Sequence, residues 1–115
     1  MTTWITQLRK GLMEYGVLLV LRRGESYGYQ IVQDLQQFDA LAVSESTVYP
    51  ILGRLHQEKL VRVRDVPSPE GPPRRYFSLT PMGRVRAAEM ESYWKTLVQS
   101  LDDLSHFRKS KENPP

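Results

Sequence analysis

The chain has 115 residues, 40% hydrophobic and 25% charged, with 16 Lys and Arg against 13 Asp and Glu for a net charge of +3. That length fits one globular domain with a modest core and leaves no room for a second. Cysteine is absent, which excludes disulfides and thiolate metal sites, and the longest aliphatic run, Val17 to Leu21, is far too short to span a bilayer. A cytoplasmic protein with no membrane segment, cofactor or metal is expected.

Leu8, Leu12, Tyr15, Leu18 and Leu19, with the run to Leu21, read as a first helix. It is apolar nearly all round at its C-terminal end, so it should be buried. Arg22, Arg23 and Gly24 close it, because basic side chains suit the negative end of a helix and glycine accepts the left-handed cap. Ser26 reads as the N-cap of a second helix from Tyr27 to Phe38, with Ile31, Val32, Leu35 and Phe38 facing inward. After a turn through Asp39 to Val43, Ser44 caps a third helix ending near Lys59.

The third helix carries the most informative pattern. Val48, Ile51, Leu52 and Leu55 form its core stripe, while the opposite face holds Ser46, Pro50, Gly53 and Gln57, flanked by Thr47, Tyr49 and Arg54. An ordinary solvated face would be filled with long charged side chains. A face cleared of bulk lets a partner approach closely, and hydroxyl, phenol and guanidinium groups are donors suited to phosphates and base edges. Pro50 inside a helix costs on the order of 3 kcal/mol unless the helix starts close before it, near Ser46. Such a local violation is expected where function competes with propensity.

Val61 to Val66 alternates as a half-buried strand and Tyr76 to Leu79 is a second short one. Between them Pro67, Pro69, Pro72 and Pro73 stiffen a loop whose tip presents Arg74 and Arg75. Thr80 followed by Pro81 marks the start of a last helix reaching about Phe107. Met90, Trp94, Leu97, Leu101 and Leu104 are spaced as a heptad seam on it, widened by Tyr93, Val98 and Phe107. At 1.5 Å per residue that helix is about 40 Å long, more than the small domain before it covers. Its apolar surface therefore calls for a second chain, since the first helix should already be occupied by the core. The stretch 109–115 reads as a frayed tail.

Charge is unevenly spread. Residues 1–53 hold four basic and five acidic side chains, 54–86 eight and three, and 87–115 four and five. The positive excess lies on the third helix and hairpin, a footprint for a polyanion. An enzyme is disfavoured: His56 and His106, the only histidines, are far apart on helices with no nucleophile, phosphate-loop or metal motif beside them. A winged helix used for protein or RNA contact is the nearer rival, although it would not need a cleared, arginine-flanked third helix.

The segments Tyr27-Gly28-Tyr29, Ser46 to Leu55, and Arg74 to Thr80 with Gly83 closely resemble the PadR family of prokaryotic transcriptional regulators, in order and spacing, over Leu8 to Leu104. The resemblance implies a mainly α fold with a small β-hairpin. A winged helix-turn-helix DNA-binding domain would span 1–80 and a C-terminal dimerisation helix 81–108, as in the short subgroup. It implies a homodimeric repressor of double-stranded DNA with the third helix in the major groove. Tyr27, Ser46, Thr47, Tyr49, Arg54, Arg74 and Arg75 are the DNA contacts carried over by position, and Tyr29 is expected to pack. Met90, Trp94, Leu97, Leu101 and Leu104 form the expected dimer interface. Trp94 also stands where some members stack a planar aromatic or drug-like effector. One departure is Lys59, where the family usually has glycine.

Overall fold

The computed structural model describes residues 3–108. In chain order the elements are α1 (Thr3–Arg22), β1 (Ser26–Tyr27), α2 (Gly28–Gln36), a 3-10 turn (Asp39–Leu41), α3 (Glu45–Gln57), β2 (Val61–Ser68), β3 (Gly71–Leu79) and α4 (Pro81–Ser105). The strands form one antiparallel sheet in the order β1-β3-β2. This is a winged helix-turn-helix with a long C-terminal helix, as expected. The expected tail at 109–115 lies outside the described residues.

The core gathers one face from each element: Met13, Val17, Leu18 and Leu21 of α1, Ile31, Val32 and Leu35 of α2, and the expected stripe Val48, Ile51, Leu52 and Leu55 of α3. Val61, Phe77 and Leu79 of the sheet and Ala87 of α4 complete it. No polar or charged residue is buried among the described ones. Arg9 of α1 donates to the carbonyls of Ala40 and Ala42, and Gln36 to that of Val43, which fixes the turn between α2 and α3.

Several local expectations are corrected. Ser26 does not cap α2 but pairs with Phe77 as part of β1, and Tyr27 is the N-cap residue. Helix α2 ends at Gln36, and the extended backbone of Phe38 (φ −116°, ψ 111°) takes it out of helical register. Its ring is 61% exposed instead of facing inward. The wing is strand almost throughout: β2 and β3 run up to a tight turn at Pro69 and Glu70. Prolines fit there because Pro72 and Pro73 together face Pro67 in the irregularity between the Ser68–Gly71 and Val66–Arg74 pairs, where no regular ladder bond is needed.

Helix α1 is apolar on two sides. One enters the core, while Trp4, Ile5 and Leu8 on the other are exposed and Leu12, Tyr15 and Leu19 are half-buried. It is also less fully occupied by the core than expected, because the first half of α4 packs along it. Arg22 meets Glu91 through two hydrogen bonds of 3.1 and 3.3 Å, and Arg86 meets Glu14 at 3.3 Å. Beyond Leu97 helix α4 runs out of the domain. The radius of gyration is 18.2 Å, against about 13 Å for a compact domain of about 100 residues.

The end of α3 is a Schellman turn. Leu60 N–H donates to the Leu55 carbonyl at 2.9 Å and Lys59 N–H to that of His56 at 3.0 Å. Buried Leu60 and Leu55 supply the hydrophobic contact that accompanies the motif. Lys59 itself is left-handed, with φ 62°, the only such non-glycine among the described residues. Lys59→Gly should therefore stabilise the fold by roughly 0.5 to 1 kcal/mol, the relief of a left-handed side chain less the entropy glycine gains when unfolded. Thermal unfolding checks this; a midpoint that stays put or falls would mean the turn stores no strain at Lys59.

Candidate nucleic-acid interface

Ser46, Pro50, Gly53 and Gln57 form the exposed crest of α3, opposite its buried stripe. The helix starts at Glu45, so Pro50 is truly interior and its ring denies Ser46 the usual helical donor on this open side. Ser44 is the N-cap residue as expected, but its hydroxyl bonds the hydroxyl of Ser46 at 2.7 Å instead of capping a backbone N–H. A Cβ on Gly53 would meet nothing within 4 Å. Packing within the chain does not require glycine there, although glycine in a helix interior costs about 1 kcal/mol relative to alanine.

On the wing side of the crest, Tyr27, Gly28, Tyr29, Tyr49, Gly53, His56, Arg74 and Arg75 line a groove of about 420 Å³ floored by Leu52, Val63 and Phe77. Gly28 is needed here, because a Cβ would sit 2.4 Å from Cε1 of Tyr49. The Tyr49 ring thus lies directly on the start of α2. Burial, then the charge of Glu45 and the neighbouring Tyr29, raise the Tyr49 phenol above its usual range. The Tyr27 and Tyr76 rings meet edge to face at 5.3 Å, and the Arg74 guanidinium stacks over Tyr27 at 4.6 Å. Arg74 and Arg75 are therefore strand residues held by neighbours, not a free loop tip. Arg75 pairs with Asp65 across the hairpin at 3.2 Å. Arg64, 5.4 Å from the Tyr76 ring, pairs with Glu25, whose carboxyl its guanidinium holds below the usual range.

On the other side, Ser46, Thr47, Pro50 and Arg54 share a cleft with Lys10 and Glu14. Arg54 donates from Nη2 to Glu14 Oε1 at 2.8 Å. The crest thus divides the seven expected contacts: Tyr27, Tyr49, Arg74 and Arg75 on the wing side, Thr47 and Arg54 towards α1, and Ser46 on the crest itself at the edge of the α1 cleft. Tyr29, expected to pack, is 49% exposed in the wing groove. Its place beside a glycine that lets another ring come close was the available signal. Among the described residues no group of acidic residues and histidines is placed to hold a metal, and no helix is long and apolar enough to cross a membrane.

The face of α4 that reaches the core through Gly83, Ala87 and Met90 continues as Trp94 and Leu97, both half-buried, and then as Leu101 and Leu104, which are 55% and 67% exposed. Trp94, Met90, Tyr93 and Leu97 line a groove of about 380 Å³ with Leu12 and Tyr15 of α1.

Residues 17–89 match the model of the transcriptional regulator PadR-like family. A PadR-like transcription factor from Bacteroides fragilis is 37% identical, with a TM-score of 0.74 over 86% of this chain and 95% of that one. A Streptococcus transcriptional regulator is likewise 37% identical, with a TM-score of 0.74 over 86% and 97% of the two chains. Bacillus subtilis PadR, solved in complex with operator DNA, is 26% identical over 69% of this chain and 46% of that longer one, with a TM-score of 0.62. The chain belongs to the PadR-like family of transcriptional regulators.

Proposed function

We propose that this protein represses transcription as a homodimer, binding an inverted-repeat operator in double-stranded DNA with α3 in the major groove and the wing beside it. The observation that carries this reading is the crest of α3, kept small at Gly53 where nothing in the chain demands it and bordered by a groove holding Arg74, Arg75 and His56. The operator complex of Bacillus subtilis PadR supports it by analogy. In this reading Ser46, Thr47, Tyr49 and Arg54 face the bases, while Tyr27, Arg74 and Arg75 hold the backbone. Arg54→Ala should then cost roughly 1 to 3 kcal/mol and relax sequence preference. Arg74→Ala should lower the slope of log K against log salt by about one with preference kept. Anisotropy titrations on a duplex enriched from a randomised library separate the two; an Arg54→Ala variant as tight and selective as the parent would contradict the assignment.

Dimerisation is supported by the continuity of the α4 stripe, which is core at Ala87, packs against the core at Met90 and is bare at Leu101 and Leu104. A two-fold dimer through this stripe places two recognition helices for half-sites about one helical turn apart. Leu101→Glu with Leu104→Glu should leave the isolated domain folded, since both side chains are largely exposed within their own chain. In a seam the added carboxylates should weaken association at least a hundredfold, about 3 kcal/mol. Sedimentation should show a helical monomer with operator binding lost, and a variant that remains dimeric would refute the seam.

The α1–α4 groove favours a second element of this reading, release by a planar aromatic effector stacked on Trp94. In a Trp4→Phe background, planar dyes should quench the remaining tryptophan with micromolar midpoints. Quenching that is absent for every dye would make Trp94 a packing residue.

A further inference from the structure

Arg54 carries the only guanidinium on α3, and in the free protein it is directed at carboxylates. The two oxygens of Glu14 are divided between helices: Oε1 accepts from Arg54 Nη2 at 2.8 Å and Oε2 from Arg86 Nη1 at 3.3 Å. Glu58 stands 3.9 Å from both guanidinium groups. Two cations and two anions make a square of zero net charge joining α1, α3 and α4. The Glu14 side chain is only 18% exposed, whereas Arg54 is 50% exposed, so the carboxylate is the fixed member and the guanidinium the one that solvent or a partner can reach. Glu14 and Arg54 share their cleft with Ser46 and Pro50 of the crest, so the exposed guanidinium borders whatever lies on the crest while the carboxylate stays behind it.

We propose that Glu14 is a specificity-determining residue for DNA binding: it holds Arg54 on the flank of α3 and surrenders it only to a base edge, not to an arbitrary phosphate. The proposal rests on the DNA-binding reading above. A phosphate offers Arg54 a charge like the one it already has and is repelled by Glu14. A guanine edge offers two acceptors at the spacing of the guanidinium fork without a net charge, so Arg54 can turn to it while still near the carboxylate. Arg54 then adds little to the affinity for unrelated DNA and more to that for a site bearing the base. Glu14 touches no DNA in this account and acts through Arg54, as a positioning residue.

The test compares parent and Glu14→Gln on a duplex enriched by the parent from a randomised library and on a scrambled duplex of the same length, by anisotropy over a range of salt. An exposed ion pair shifts equilibria by up to about fivefold. Glu14→Gln should bind the scrambled duplex about two- to fivefold tighter, with a log K against log salt slope steeper by about one. The preference for the enriched duplex should fall by a similar factor. All three changes should vanish in an Arg54→Gln background, and Glu58→Gln, which removes the more exposed carboxylate, should move the same way by less. If Glu14→Gln lowers thermal stability but leaves both affinities and the slope unchanged, Glu14 is a structural ion-pair partner and the proposal is overturned. Changes that persist without Arg54 overturn it as well. Failure of the parent to bind any duplex would instead overturn the DNA-binding reading itself.

Discussion

A Cβ on Gly83 would sit 2.0 Å from the backbone carbonyl oxygen of Leu60, so the first turn of α4 lies directly against the turn that ends α3. That contact determines where α4 begins and in which direction it leaves. Thr80 locks it from both sides: its N–H donates to the Leu60 carbonyl and its hydroxyl to that of Lys59, while the same hydroxyl oxygen accepts from Gly83 N–H. Three elements meet within a few ångströms, namely the end of α3, the root of the wing and the root of the long helix. Lys59 carries a left-handed backbone at this junction, and the surrounding hydrogen bonds hold it there.

From that junction α4 runs along α1, bridged by Arg86 to Glu14 near its start and by Glu91 to Arg22 further on. The apolar stripe then passes without a break from core to open surface. A stripe that is buried in one half and bare in the other is an unfinished core, and on α1 the exposed Trp4 and Leu8 add to the uncovered area. The same helix thereby ties the position of α3 to whatever covers its far half. This is the physical basis on which a dimer contact or a ligand beside Trp94 would bear on the spacing of two recognition helices.

The parts of this arrangement legible in the chain were those set by short-range periodicity and stereochemistry. The stripe Val48, Ile51, Leu52, Leu55 is buried as its spacing implies, Thr80 and Pro81 start α4, and Lys59 stands in the left-handed position where a glycine would be ordinary. What could not be read locally depends on partners distant in sequence. Strand β1 is two residues long and exists only because β3 pairs with it. The proline-rich stretch is strand because a bulge absorbs Pro72 and Pro73. Phe38 turns outward because α2 stops two residues before it. The pairing of Arg54 with Glu14 spans 40 positions and leaves no local trace, so the side-chain set around α3 was visible while the carboxylate restraining one member was not.

In the proposed reading, two copies of this chain, joined through α4, grip one DNA site with two copies of α3. Sedimentation equilibrium of the protein with a single duplex bearing the enriched site, at concentrations above the dissociation constant, measures this most directly. Two chains per duplex are expected, together with a dimer in the absence of DNA. One chain per duplex, with a monomeric free protein, would contradict it.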